Sequence, residues 1–240
     1  MSVYKLFAEK DATIYSEYPT LNTGLDAILE LTKEESILFP DESTTSRILI
    51  KFNQEDIQNI VNTKIGNSNF DVYLKLYVAD AGPLPVNFNV FLYPIYEEWA
   101  MGTGKFGNLP GTMDGVSWEY TNASTGSNWS IVIPDYATGS FSTSSIGGGS
   151  WYTGSWASQS MSIYTTKDLT LKVTDIIHQY VSNSIDNNGF IIMNDPTIEY
   201  NKNYTYKLNY FSRDTNTIYP PVLEFRWDDS SYITGSLISS

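Results

Sequence analysis

The sequence holds no cysteine and a single histidine, and its only arginines are Arg47, Arg213 and Arg226. Each shortage closes off a kind of chemistry. Without cysteine there is no disulfide, no thiolate metal site and no sulfur nucleophile, which fits synthesis in a reducing compartment. One histidine beside no cysteine leaves no zinc set. Bases are outnumbered: 14 Lys and Arg against 27 Asp and Glu give a net charge of −13. Such a surface repels phosphate backbones, so nucleic acid is not an expected partner. No apolar run approaches the roughly 18 residues of a membrane helix, so no membrane partner is expected either. The first residues, "MSVYKLFAEKDATIYSEY", lack a basic stretch ahead of an apolar one and read as a strand rather than an export leader. No repeat of solenoid or propeller length is present.

What remains describes a folded β protein. Of 240 residues, 41% are hydrophobic and 15% aromatic, with 18 tyrosines; aromatic and β-branched residues favour pleated, half-buried surfaces. "DAILELT" places Ala27, Leu29 and Leu31 on one face, and "SRILIKFN" does the same with Ile48, Ile50 and Phe52. In "QEDIQNIVNTKI" the period changes, with Ile57, Ile60, Val61 and Ile65 at helical spacing and Asn53 as N-cap. "FDVYLKLYVADA" reads as one long strand, followed by "FNVFLYPIY". Past the centre, "DLTLKVTDIIHQYVSN" is a strand leading into a short helix. "NNGFIIMND" is a turn and a buried strand, with Asn188-Gly189 supplying positive φ. "YKLNYFSRD" and "PPVLEFRW" complete roughly eight to ten strands. The expected fold is an all-β, two-sheet, jelly-roll-like sandwich with two short helices. One domain spans 1–228, and 229–240 form a polar tail.

Between about 100 and 162 the composition shifts to Gly, Ser, Thr, Trp and Tyr. This reads as an ordered insertion carrying short strands, because Trp151, Tyr152 and Trp156 need something to pack on. The rings Trp118, Tyr120, Trp129, Trp151, Tyr152 and Trp156 are the candidate functional set. Packed, they would stabilise a segment poor in aliphatics; exposed, they would stack on sugars or sit at a subunit interface. Packing is the commoner fate of loop tryptophans.

"EEWAMGTGKFGNLPGTMDGVSW", residues 97–118, carries the most suggestive chemistry. Gly102, Gly104 and Gly107 spell G-x-G-x-x-G, but a dinucleotide fingerprint must open a helix, and Pro110 with two further glycines follows instead. Lys105 lacks the Ser or Thr and the spacing of a P-loop. The glycines therefore read as turn geometry. Glu97 and Glu98 are neighbours and cannot aim at one bond from about 5–9.5 Å apart, as a glycosidase pair must. His178 lines up with Asp175 and Ser182 on the solvated side of its helix, with no nucleophile elbow nearby. Asp and Asn in "DIIHQY" with the following "NSIDNN", and in "MNDPTIEYN", raise the question of a structural calcium ion, but no D-x-D-x-D-G array is present. No catalytic residue, cofactor or metal is assigned.

The order of these pieces resembles the DNRLRE-type, carbohydrate-binding-module-like β-sandwich. The matching residues are "DATIYSEYPTLNTG", "SRILIKFN", "VYLKLYVADA", "VFLYPIYEEWAMGTG", "LTLKVTDIIHQYV", "NNGFIIMND" and "LNYFSRDTNTIYPPVLEFRW". The glycine-rich middle ("DGVSWEY", "GGGSWYTGSW") and the ending "FSRDTNTIYPPVLEFRWDDS" make it more similar to virion proteins of tailed bacteriophages built on this sandwich. That likeness implies a non-enzymatic component of a virus particle, made in the host cytoplasm. It would act through contacts with other virion proteins of the capsid, collar, tail or fibre, in several symmetric copies. The alternative it implies is a module that binds a cell-surface or matrix glycan.

Overall fold

The computed structural model describes residues 1–37, 43–66, 68–85, 87–130, 137–141, 146–195, 199, 201 and 203–229. The chain opens with β1 (Ser2–Phe7), β2 (Lys10–Tyr15), β3 (Ile28–Glu35) and β4 (Ser43–Lys51). Helix α1 (Gln54–Asn59) runs into a π-helical turn, Ile60–Ile65, and then come β5 (Phe70–Leu76), β6 (Val78–Ala81) and β7 (Asn87–Pro94). The insertion contributes β8 (Tyr120–Asn122), β9 (Ser127–Asn128), β10 (Ala137–Phe141) and β11 (Ile146–Tyr152). β12 (Ala157–Ser162), β13 (Leu169–Lys172), helix α2 (Thr174–Val181), β14 (Phe190–Asn194), β15 (Tyr206–Phe211) and β16 (Val222–Trp227) follow.

Two antiparallel sheets form a sandwich, as the alternation predicts. The smaller has the order β1-β16-β5-β13, and the larger has β12-β7-β14-β4-β3-β15-β6 with β2 also on β4. Between them lies the main core: Val72, Leu74, Leu223 and Phe225 from the small sheet, facing Leu31, Ile48, Ile50, Val90, Leu92, Ile192 and Leu208 from the large one. Asn53 caps α1, its Oδ1 accepting from the N–H of Glu55 and Asp56. Ile57, Ile60, Val61 and Ile65 are all buried in the main core, as their spacing requires. Ile176, Ile177 and Tyr180 of α2 join them, and Gly189 takes φ +92 at the turn before β14.

Two features depart from the sequence reading. "FDVYLKLYVADA" is not one strand: β5 pairs with β16 and β13, whereas β6 pairs with β15 in the other sheet. The chain passes between the layers at Tyr77, whose carbonyl accepts from the Phe211 N–H. Strand β12, inside the expected insertion, is instead an edge strand of the large sheet, paired to β7 from Ala157↔Leu92 to Ser162↔Asn87. The polar tail beyond 229 lies outside the described residues.

The insertion adds a third layer. A second apolar cluster joins Ala12, Ile14, Leu49, Ile191 and Met193, on the outer face of the large sheet, to Ile95, Trp99, Val116, Trp118, Trp129 and Trp151. Strands β4 and β14 are therefore buried on both faces, which is why "ILI" and "FIIM" run without polar alternation.

Candidate functional site

The 97–118 stretch is organised by a residue outside it. Asn22, fully buried, donates through Nδ2 to the carbonyls of Met101 and Val116, both at 2.8 Å. Its Oδ1 accepts from the N–H of Gly104 at 2.8 Å and of Gly24 at 3.2 Å. All four hydrogen-bonding capacities of the amide are used. A Cβ on Gly104 would stand 2.1 Å from the Asn22 carbonyl oxygen. The glycine pattern thus lets three backbone segments close around one amide, which is turn architecture of the kind the sequence suggested.

The two adjacent glutamates have separate fates. Glu97 Oε2 accepts from the Ser130 N–H at 2.9 Å and the Ser150 hydroxyl at 2.6 Å, while Oε1 accepts from Ser130 Oγ at 2.5 Å. It is a strut between β7, the 130 segment and β11. Glu98 points into solvent, 3.6 Å from Lys51 Nζ. Trp99 anchors the chain directly after them: its indole donates to the Asn188 carbonyl at 2.9 Å, and the Lys10 ammonium sits 4.4 Å over its ring.

Of the six aromatic candidates, Trp118, Trp129 and Trp151 are buried. Trp129 donates to the Ser117 carbonyl at 3.0 Å. Trp118 and Trp151 face the Arg47 guanidinium at 4.8 and 5.2 Å. Tyr120 is half-buried. Tyr152, also half-buried, meets Tyr96 edge-on at 5.1 Å. Burial raises the Tyr152 phenol pKa, with Asp186 adding to it. Trp156 alone is exposed, at 56%. It packs 5.5 Å from Phe91, which lies parallel to Tyr93 on the outer face of β7. Beside Trp156 is a cleft of about 190 Å³ lined by Gly154, Ser155, Lys172, Val173, Asp175 and Ile176. Phe91 and Tyr93 were not among the sequence candidates. The alternation of "FNVFLYPIY" gives their face, but not that the face stays partly open.

Nothing in the sequence sets Arg47 apart from Arg213 and Arg226. It is fully buried, forks onto Glu199 at 2.8 and 2.9 Å, and donates to the Gly148 carbonyl. A polar cluster continues through Thr45, Asn194 and Tyr206, with the Tyr206 hydroxyl donating to Asn194. Within the same layer Lys33 is buried, and its Nζ has no hydrogen-bond partner among the described residues. Desolvation lowers its pKa to about 8, opposed by the Glu199 charge. On the far side of the sheet, burial lifts the Asp11 carboxyl to about 7, although it accepts from the Arg213 N–H at 2.7 Å.

His178 is exposed and lies against Phe70, 4.7 Å between ring centres. Among the described residues, no three His, Cys, Asp or Glu side chains are grouped to hold a metal ion. No helix among them is long and apolar enough to cross a membrane. Part of the acidic segment "MNDPTIEYN", at 196–198 and 200, lies outside the described residues.

Exposed apolar side chains lie on strand β1 and on several loops. Segments 17–21 and 106–113 enclose a groove of about 720 Å³, walled by Tyr18, Leu21, Phe106, Leu109 and Met113. Phe106 is fixed in it by Tyr15 and Tyr18, at 5.2 and 5.8 Å, and by its own N–H donating to Asp26. Leu109, at the rim, is 96% exposed. No family model matches the chain, and no curated protein matches it.

Proposed function

We propose that this chain is a non-enzymatic structural subunit of a tailed-bacteriophage particle, acting through contacts with other virion proteins. The observation carrying this reading is what the suggestive groups of 97–118 do. Glu97, Asn22, Gly104 and the buried tryptophans hold the third layer to the sandwich, so the insertion stiffens the subunit. A stiff body with exposed apolar side chains on its loops suits assembly, because a partner then loses little freedom on docking. Phe106, Leu109 and Met113 supply such a surface. The resemblance of "FSRDTNTIYPPVLEFRWDDS" to phage virion proteins supports the same reading. Quantitative mass spectrometry of purified particles of the encoding phage tests it. The protein should be present at fixed stoichiometry, and Leu109→Asp should lower its incorporation without changing its melting temperature. Absence from the particle overturns the reading.

A glycan-binding reading rests on one observation, the exposed Trp156 ring beside a cleft holding Lys172 and Asp175. Indole fluorescence should then shift on titration with a host polysaccharide and lose that response in Trp156→Ala. An unchanged spectrum with every host polysaccharide removes it.

A further inference from the structure

Strand β1 is an outer strand of the small sheet, and its free side is laid out for another strand. The Ala8 N–H donates to the Pro221 carbonyl on the β16 side. By alternation Ser2, Tyr4 and Leu6 also point their peptide groups at β16, and Val3, Lys5 and Phe7 point theirs outward. No described strand pairs with them: β1 pairs only with β16, in unbroken register from Ser2↔Trp227 to Phe7↔Val222. The opposite edge of the sheet, β13, is in contact with β12 of the other layer.

Natural edges are blunted by proline, bulges or charged side chains, lysine above all. β1 has neither proline nor bulge, and its one charge, Lys5, pairs with Glu224 at 3.9 Å. Val3 and Phe7 are 51% and 57% exposed. An exposed, regular, apolar edge is a template for strand addition.

We infer that β1 pairs with β1 of a second copy of this chain, antiparallel about a two-fold axis at Tyr4. Of the two registers that the outward peptide groups allow, the one centred on Lys5 would set lysine against lysine; the one centred on Tyr4 sets Tyr4 against Tyr4, Val3 against Lys5 of the other copy, and Lys5 against its Val3. Val3 and Lys5 exchange main-chain hydrogen bonds and the tyrosines form the close, non-hydrogen-bonded pair, as the outward peptide groups require. Charge selects a like copy. The chain carries −13 overall, yet β1, β16 and their ends balance, with the Met1 ammonium, Lys5 and Arg226 against Glu224, Asp228 and Asp229. Here two acidic molecules meet with little repulsion. The small sheet would continue across the axis into the partner.

Two short strands bury modest area, so the isolated dimer should be weak, with Kd on the order of 100 μM, and multivalent assembly would strengthen it. Sedimentation of the full chain over a concentration series tests this, with three variants. Lys5→Pro removes an outward N–H together with the half-exposed Glu224 contact, so it should abolish the dimer while the far-UV spectrum stays put and the melting temperature moves by no more than an exposed ion pair is worth. Val3→Glu should tighten the dimer about three- to tenfold by facing Lys5 of the other copy, and Val3→Lys should loosen it to a similar extent. Because the chain has no native cysteine, Tyr4→Cys reports the axis directly. Under oxidation it should give about tenfold more covalent dimer than Tyr164→Cys in an exposed turn. A monomer at every concentration with no excess Tyr4→Cys cross-link overturns the inference, and so does a dimer indifferent to Lys5→Pro. No particle is needed, so the outcome is separate from that of the virion reading.

Discussion

Arg47 and Glu199 are 152 positions apart and form a two-pronged ion pair with Nε to Oε1 at 2.9 Å and Nη2 to Oε2 at 2.8 Å, both side chains fully enclosed. The tryptophans at 118 and 151 cover the guanidinium, and its remaining nitrogen donates to the Gly148 carbonyl. One cation thus ties the large sheet, the third layer and the segment before β15 together. Deleting one partner strands the other charge in a dry site. Arg47→Met should cost about 3–5 kcal/mol in urea unfolding. Arg47→Lys should recover only part of that, because an ammonium cannot make the fork. A loss below about 1 kcal/mol would mean that the pair is not the pin of the third layer.

Asn22 gives a second test. Asn22→Ala would take their side-chain partner from the carbonyls of Met101 and Val116 and from the N–H groups of Gly104 and Gly24, and should cost roughly 3–5 kcal/mol. Asn22→Asp keeps the shape but turns the donor toward Met101 and Val116 into an acceptor. It should be at least as damaging at neutral pH. A near-wild-type melting temperature for Asn22→Asp would show that the turn holds itself without this amide.

Asp11 links stability to pH. Its carboxyl titrates at about 7 in the fold, against an ordinary value of 3.8, chiefly because it is buried. Between these values the folded chain keeps a proton that the unfolded chain releases. The contribution is therefore fully present below about pH 4 and is lost as pH rises through about 7. Asp11→Asn should stabilise the protein by a few kcal/mol at pH 8, while its Oδ1 still accepts from Arg213. The gain should vanish near pH 4, as followed by chemical denaturation across that range.

Lys33 has the opposite sign. Its ammonium is favoured less in the fold than in the unfolded chain, with a pKa of about 8 against 10.5. The penalty is complete below about pH 8 and fades as pH rises toward 10.5, so this residue makes the protein more stable in alkali. Lys33→Met fills the same space without a charge to desolvate, and should raise the melting temperature at pH 7. The difference from wild type should shrink between pH 8 and 10. A destabilised Lys33→Met would mean that the attraction to Glu199 outweighs desolvation.

Much of the sandwich was legible because its signals are local. Ile57, Ile60, Val61 and Ile65 announce a helix by spacing, and Asn53 announces its start. Leu29 with Leu31, and Ile48 with Ile50, announce strands by alternation. The candidate site was harder. Trp118, Trp129, Trp151 and Trp156 share one composition, yet three lie inside and one outside. No local pattern separates them, since what buries the three is the outer face of strands far away in the chain. The break of "FDVYLKLYVADA" at Tyr77 was equally silent, because both halves alternate correctly and only their partners differ.

The order of residues was enough to specify an acidic, cysteine-free β protein with two short helices, because hydrophobic period, capping and charge balance act over a few residues. Folding in three dimensions settled which polar groups became struts. Asn22, Arg47, Glu97 and Glu199 each satisfy partners distant in sequence, and a buried amide or charge holds its place only when all its bonds are met at once. That condition depends on the packing of whole layers, so it was fixed only when the insertion closed over the sheet.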